Sequence, residues 1–336
     1  MPNAALFYVA DPTRGGWVTY TAHLAHALRL SGYTPMIYKI GKRDEGFTRD
    51  FGYDLRYTNV SIATAALIAL GTPFSMTVVL APKRLGEAEP LLAARIPLVV
   101  HDPTEMKSEV LQAIARNQTP LVALRTTNAA RLLDLGLDAT YCRPPYVPYF
   151  DGPLDASDPK LRRAVAFSRL DWDKNTDLIV KANASLPPGR RVALYGAVNA
   201  MYAHHRLPAN WKRDYNGGFD PVWGAGARVS RTALYAVDLS TIAGDGDGMQ
   251  FTFLEAWDAG SVLVVSRKWL VTGQDVVRDG HNALAVADDV ELADLLRGPL
   301  PEGRAALIAA GRETLTQFAP APAVAALRAV LSERAA

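Results

Sequence analysis

Short apolar runs recur along this chain, each followed by a stretch with helical spacing, and that alternation restricts the fold more than any other feature. Residues 6–10, 35–40, 75–80, 97–100 and 121–124 read as buried strands. Residues 18–30, 106–116 and 128–135 carry apolar side chains at helical intervals (Val18, Ala22, Leu24, Ala25 and Leu28 in the first), and Gly136 is placed to close the third. Strands that are apolar throughout, instead of alternating with polar residues, need cover on both faces. A parallel sheet between helical layers supplies it.

The pattern pauses at Arg143-Pro144-Pro145-Tyr146-Val147-Pro148 and the polar, Pro- and Asp-rich residues 151–159, which read as an interdomain linker. It resumes with strand 163–168, helix 178–184, strand 191–195, helix 231–237, strand 239–243, helix 251–259, strand 261–265 and helices after Val290. The expectation is an α/β protein of two Rossmann-like, doubly wound domains facing across a cleft, with ligand at the carboxyl ends of the strands. The boundaries are 1–150 for the first domain and 160–315 for the second. Residues 316–336 are expected to form a helix that packs back toward the first.

Composition narrows the class. The chain has 336 residues, enough for two domains, and its 49% apolar and 21% charged content is that of a folded globular protein. A net charge of +2 demands no polyanionic partner, although residues 1–150 are slightly basic, with 15 Lys and Arg against 12 Asp and Glu. A single cysteine, Cys142, excludes an internal disulfide framework. It has no evident base partner and reads as packing. Met1-Pro2-Asn3-Ala4 lacks the basic start of a secretory leader, so a cytoplasmic location is expected. Residues 59–82 carry no charge, but Gly71-Thr72-Pro73 splits them into a buried helix, 62–70, and a buried strand, 75–80, so no membrane insertion is expected.

Three places carry chemistry. Ser168-Arg169-Leu170-Asp171-Trp172-Asp173-Lys174-Asn175 puts two cations on a strand-to-helix turn, where Arg169 and Lys174 can converge on a diphosphate. Surface pairing with Asp171 and Asp173 is the plainer alternative. Asp247-Gly248-Met249-Gln250-Phe251-Thr252-Phe253-Leu254-Glu255 sets two carboxylates eight residues apart, the second on a helix, suited to sugar and ribose hydroxyls. Gly15 and Gly16 lie between the first strand and first helix, a place for anion binding or simply for a tight turn. His101 and Asp102 follow the strand 97–100 and should project from its carboxyl end, with Asp102 positioned to hold the imidazole. Asp171-Trp172-Asp173 and Asp245-Gly246-Asp247 each spell Asp-X-Asp, a pattern used elsewhere for divalent metals, but matches of this kind are frequent by chance and no metal is expected.

Taken in this order, these segments resemble the retaining GT-B glycosyltransferases of the sucrose synthase and bacterial mannosyltransferase type. The middle segment is similar to that family's Arg-Leu, Lys-Gly, Asp-Leu-Leu/Ile pattern, with Asn175 in place of the glycine. The later segment is similar to its Glu-Gly-Phe-Gly run and Leu-Glu-Ala helix, with Asp247 for the first glutamate and Met249-Gln250 for Phe-Gly. The resemblance implies that Gly15, Gly16, Arg169, Lys174, Asp247, Gly248, Met249, Gln250 and Glu255 bind the donor. Arg169, Lys174, Asp247 and His101 would be catalytic, and His101 and Asp102 would face the acceptor. It also implies a nucleotide-sugar substrate (a UDP-sugar), no required cofactor, and transfer with retention, the departing phosphate taking the acceptor proton.

For the acceptor, the cations Lys42, Arg43, Arg49, Arg56, Lys83, Arg84 and Lys107 are interleaved with Phe47, Phe51, Tyr53 and Tyr57, a mixture suited to a nucleic acid with an extruded base or to an ordinary solvated surface. The run 248–260 and the compact length also resemble bacteriophage glycosyltransferases that decorate hydroxymethylated pyrimidines in DNA, which makes hydroxymethylpyrimidine DNA the first expectation. A cell-surface glycan or small metabolite is the next. A nucleotide-sugar hydrolase or epimerase, or a non-catalytic nucleotide-sugar binder, are rival classes.

Overall fold

The computed structural model describes the chain apart from residues 12–15, 42–44, 82–83, 151–160, 220–221, 242–249, 271–275 and 334–336. Two compact units emerge. Unit 1 gathers Met1–Val147 with Phe318–Ala336, and unit 2 gathers Pro148–Ala243 with Gln250–Gln317.

Unit 1 runs β1 (Asn3–Val9), α1 (Gly16–Leu30), β2 (Thr34–Ile40), β3 (Thr48–Gly52), β4 (Leu55–Val60), α2 (Ile62–Gly71), β5 (Phe74–Leu80), α3 (Leu85–Ala93), β6 (Leu98–Val100), α4 (Ser108–Asn117), β7 (Leu121–Ala123), α5 (Thr126–Asp134) and β8 (Thr140–Tyr141). Its eight strands lie in the order β3-β4-β2-β1-β5-β6-β7-β8. Neighbours are parallel except β3 and β4. All of β1 after Asn3 is buried; successive side chains point to opposite faces, so both faces of this strand are covered. Ala5, Phe7 and Val9 pack with Ile40, Val60, Ala65 and Leu91, which seats α2 and α3 on one face. The uncharged stretch after Asn59 becomes α2 and β5. Ser61 starts α2 by accepting the Thr64 N–H at 3.2 Å. No described helix is long and apolar enough to cross a membrane.

The β3–β4 hairpin went unforeseen. Tyr53 and Asp54 both take left-handed backbone, φ 57° and 59°, in its turn. That geometry normally announces itself as Asn-Gly, and here it is held from outside, because His26 Nε2 donates to the Tyr53 carbonyl at 3.0 Å.

Unit 2 runs β9 (Arg162–Ala166), α6 (Thr176–Ala184), β10 (Val192–Leu194), α7 (Ala200–Arg206), α8 (Ala225–Arg231), β11 (Ala233–Asp238), α9 (Phe251–Asp258), β12 (Val262–Ser266), α10 (Arg267–Leu270), β13 (Leu284–Val286), α11 (Asp289–Arg297) and α12 (Arg304–Leu315). Its five strands are parallel in the order β10-β9-β11-β12-β13. Its core joins Ala164, Ile179, Val180, Val192, Leu194, Tyr235, Val237, Val264, Leu292 and Leu296. The chain steps from β9 to β10 on one side, then returns to place β11 on the other. The order therefore reverses beside β9, and the carboxyl ends of β9 and β11 are where sheets of this kind bind their ligands. One expectation is corrected. Residues 233–238, assigned to a helix followed by a strand at 239–243, form β11 themselves. The alanines gave a helical appearance, but this strand lies between two others, where short and bulky apolar residues are equally at home.

After unit 2 the chain supplies α13 (Pro320–Glu333) to unit 1, where it packs on α1. Tyr146 N–H donates to the Phe318 carbonyl at 2.8 Å, fixing its approach.

Candidate functional site

The turn leaving β9 places Arg169 and Lys174 where the sheet order reverses. Lys174 ends a 3-10 turn, Trp172–Lys174, and Asn175 then takes left-handed backbone at φ 47° before α6 begins. Asn and Gly are the residues that enter that region at least cost. The Asn175 amide also donates to the Leu239 carbonyl at 2.9 Å and to Thr241 Oγ1 at 3.1 Å, lacing this turn to the one after β11. Behind it, Gly196 at φ 128° lies so close to the chain that a Cβ would meet Ser168 O at 2.2 Å, so only glycine allows the Ser168–Arg169 backbone this course.

Lys174 is buried, with 7% of its side chain exposed. Its ammonium donates to Gln250 Oε1 at 2.6 Å and Ser240 Oγ at 3.0 Å, and pairs with Asp173 Oδ2 at 3.2 Å. Arg169 stays about half exposed and pairs with Asp171 at 3.2 Å and, more distantly, Asp173 at 4.0 Å. The plainer surface pairing is thus present for Arg169, while Lys174 sits inside a built polar pocket. Gln250 is the residue preceding α9, so the lysine ties this turn to the amino end of that helix, a position that favours anions.

Sequence reasoning passed over the group behind the lysine. Asp238, buried at the end of β11, accepts from the Ser240 backbone N–H at 2.9 Å and from the Ser240 hydroxyl. Its other oxygen accepts from Thr252 Oγ1 in α9. Asp238 thereby orients the serine that Lys174 binds. Placing the strand six residues early would have revealed it, as the carboxylate ending a central strand.

Glu255 lies about one turn into α9 and is buried. Burial pushes its carboxyl up to about 8, against the lowering influence of a 3.3 Å hydrogen bond from the Tyr149 hydroxyl, with nearby Asp258 adding to the rise. The Tyr149 backbone N–H donates to Asp258 Oδ2 at 2.7 Å, and its ring meets Trp223 edge-on at 4.6 Å. Gly226 gives the carboxylate room, since a Cβ there would stand 3.0 Å from Glu255 Oε2. Tyr149 escaped notice because it lies in the proline-rich linker. Asp247, Gly248 and Met249 fall outside the described residues, as does Gly15.

In unit 1, Gly16 opens α1, and a Cβ on it would meet nothing within 4 Å. His101 follows β6 and faces a hollow lined also by Trp17, Leu80, Val100, Met106 and Val110. Its Nε2 contacts the Val78 carbonyl at 2.9 Å. A carbonyl only accepts, so Nε2 carries the proton, and burial brings the imidazole down to about 4. The ring is neutral at physiological pH, leaving Nδ1 an acceptor. The expected grip of Asp102 on this imidazole is corrected. Asp102 Oδ1 instead accepts from the Thr104 backbone N–H at 2.8 Å and its hydroxyl at 2.6 Å, capping a 3-10 turn. Cys142 is buried, and burial raises its thiol to about 11, an environment for packing and not for a nucleophile. Among the described residues no group of three His, Cys, Asp or Glu stands close enough to hold a metal ion.

No protein-family model matches this sequence, and no curated protein matches it. Solved structures do match in fold. Anabaena HepE in complex with UDP and glucose superimposes with a TM-score of 0.72 at 14% identity, covering 99% of this chain and 100% of that one. A mutant of S. aureus TarM in complex with Fondaparinux, alpha-GlcNAc-glycerol and UDP gives 0.69 at 9% identity, over 98% and 100%. An alpha-glucosyltransferase in complex with UDP and a 13-mer DNA containing an HMU base gives 0.64 at 14% identity, over 95% of each. The fold is the GT-B fold of glycosyltransferases.

Proposed function

We propose that this protein transfers a glycosyl group from a UDP-sugar to an acceptor hydroxyl, with retention of configuration. One observation carries the reading: a buried lysine is tied to the amino end of α9, the helix that holds Glu255, and a half-exposed arginine stands on the same βα turn as that lysine. A leaving diphosphate gains charge as the glycosidic bond breaks, so cations fixed beforehand favour the transition state over the ground state. Lys174 and Arg169 are assigned to that charge, and Glu255 to the ribose hydroxyls. Asp247 and the residues after it are assigned to the transferred sugar. Neutral His101 is assigned a hydrogen-bonding role toward a sugar hydroxyl, and Asp102 a place on the acceptor side. UDP and glucose in HepE, and UDP in the other two structures, support the choice of donor.

For the acceptor we propose 5-hydroxymethylpyrimidine in DNA. Support comes from the structural match that holds such a base in DNA together with UDP. The test incubates a panel of nucleotide sugars with hydroxymethylated DNA, unmodified DNA and simple sugars, and measures released nucleotide. Release that depends on the hydroxymethyl group is expected. Release that depends on a simple sugar would move the acceptor to a glycan or metabolite, and equal release without any acceptor would make the protein a hydrolase. Lys174→Ala should lower turnover tens to hundreds of fold, the value of a lost charge-assisted hydrogen bond of about 1.5–3 kcal/mol.

A further inference from the structure

We propose that unit 2 binds a phosphate oxyanion at the amino ends of β9 and β11, held by Arg163, Arg190 and the hydroxyl of Tyr235. This site is separate from the Arg169–Lys174 turn, which leaves the carboxyl end of β9. Arg163 is the second residue of β9 and Tyr235 the third of β11, while Arg190 ends the short turn, Pro188–Arg190, that leads into β10. The two guanidiniums converge on one backbone oxygen. Arg163 Nη2 donates to the Gly298 carbonyl at 2.6 Å, and Arg190 Nη1 donates to the same carbonyl at 3.1 Å. The Arg163 guanidinium also lies over the Tyr235 ring, 5.1 Å from its centroid.

Two cations held against one neutral carbonyl repel each other, and no acid offsets them. Among the described residues both arginines bond only to the carbonyls of Leu296, Gly298 and Pro299. Acids nearby are engaged elsewhere, Asp294 with Arg297 at 2.5 Å and Asp214 with Arg213 at 2.9 Å. Two buried donors accompany the cations. The hydroxyl of Tyr235, a residue with 0% of its surface exposed, and Arg163 Nε find no acceptor among the described residues, which is costly for groups removed from water. Burial raises the Tyr235 hydroxyl above its ordinary value while Arg163, Arg304 and Arg190 act to lower it, so Arg304, the first residue of α12, brings a third positive charge within range. Burial lowers the Arg163 guanidinium; Tyr235 opposes this and Arg190 adds to it. These donors require an acceptor, and the charge around them favours a negative one over water. Each guanidinium bonds through a single nitrogen, so its other N–H groups can meet further oxygens without breaking the bonds to the chain. Their flat, forked geometry matches the oxygens of a phosphate.

Titration calorimetry on the full chain tests this with inorganic phosphate at constant ionic strength, with and without saturating UDP, and with glycerol phosphate in a parallel series. Phosphate should bind the wild type whether or not UDP is present. Arg190→Gln should weaken that binding by tens of fold, the value of a charge-assisted bond, and Tyr235→Phe by about tenfold. Having lost only a hydroxyl that bonds to nothing described, Tyr235→Phe should unfold without phosphate at the same temperature as the wild type or higher, so it decides the matter even if Arg190→Gln fails to fold. Equal binding of glycerol phosphate would assign the site to phosphate monoesters, and binding of inorganic phosphate alone to the free ion; either supports the proposal. Phosphate binding that UDP abolishes belongs to the Arg169–Lys174 turn and overturns it. So does an affinity unchanged in Tyr235→Phe, or a wild type that binds no phosphate.

Discussion

Glu255 is an acid held where its protonated form is favoured, and that has two consequences of opposite kind. With its carboxyl raised to about 8 mainly by burial, the folded protein holds a proton that the unfolded chain releases near pH 4.5. The folded state binds more protons across that window, so Glu255 withdraws stability as pH rises from about 4.5 to about 8, and no further above it. Glu255→Gln should flatten the pH dependence of the urea midpoint over this range. Binding runs the other way. Hydroxyls donating to a carboxylate favour its charged form, so a ribose held by Glu255 as proposed would lower this group and expel its proton. UDP affinity should therefore rise between pH 6 and 8, with proton release seen as a calorimetric heat that depends on the buffer. Both effects should vanish in the Gln variant.

At the scale of elements, the strands and helices that position the site were legible wherever local chemistry and tertiary role agreed. Helix α9 and the turn to α6 belong here, and Asn175 shows why: a residue tolerant of left-handed backbone stands where the chain needs it. Strand β11 was misplaced because residues 233–238 carry no period that separates a central strand from a short helix. Its end carboxylate, Asp238, went with it. The pairings of Lys174 and Glu255 were invisible for another reason, since Ser240 and Gln250 are remote in sequence from the lysine and Tyr149 from the glutamate, and they meet only once the sheet is built. Buried Asn183 behaves similarly, bridging α6 to β10 by donating to the Val192 carbonyl at 2.9 Å and accepting its N–H at 2.8 Å. Asn183→Ala leaves two backbone groups unpaired in the interior. It should cost about 2–3 kcal/mol in urea unfolding, with UDP affinity retained wherever the variant is folded.

The molecule as a whole consists of two units, each organised around its own parallel sheet. Alternating strand and helix patterns announced that architecture. They did not reveal the β3–β4 pair at the sheet edge, whose left-handed turn is built from Tyr53 and Asp54. The described cations and carboxylate assigned to UDP lie in unit 2. At about a hundredfold excess over its dissociation constant a ligand stabilises what it binds by about 2.7 kcal/mol. Hydrogen exchange during heating should accordingly show protection gained in β9, β11 and α9, with the transition of unit 2 raised by roughly 5–10 °C.

Helix α13 belongs to unit 1 but is encoded after unit 2, with Val324, Leu327 and Val330 buried and Phe318 tied to Tyr146. During synthesis the ribosome therefore releases nearly all of unit 1 well before the segment that covers α1 leaves the exit tunnel. The nascent chain carries that uncovered apolar surface while the whole of unit 2 is being translated, a long interval in which a chaperone has something to hold.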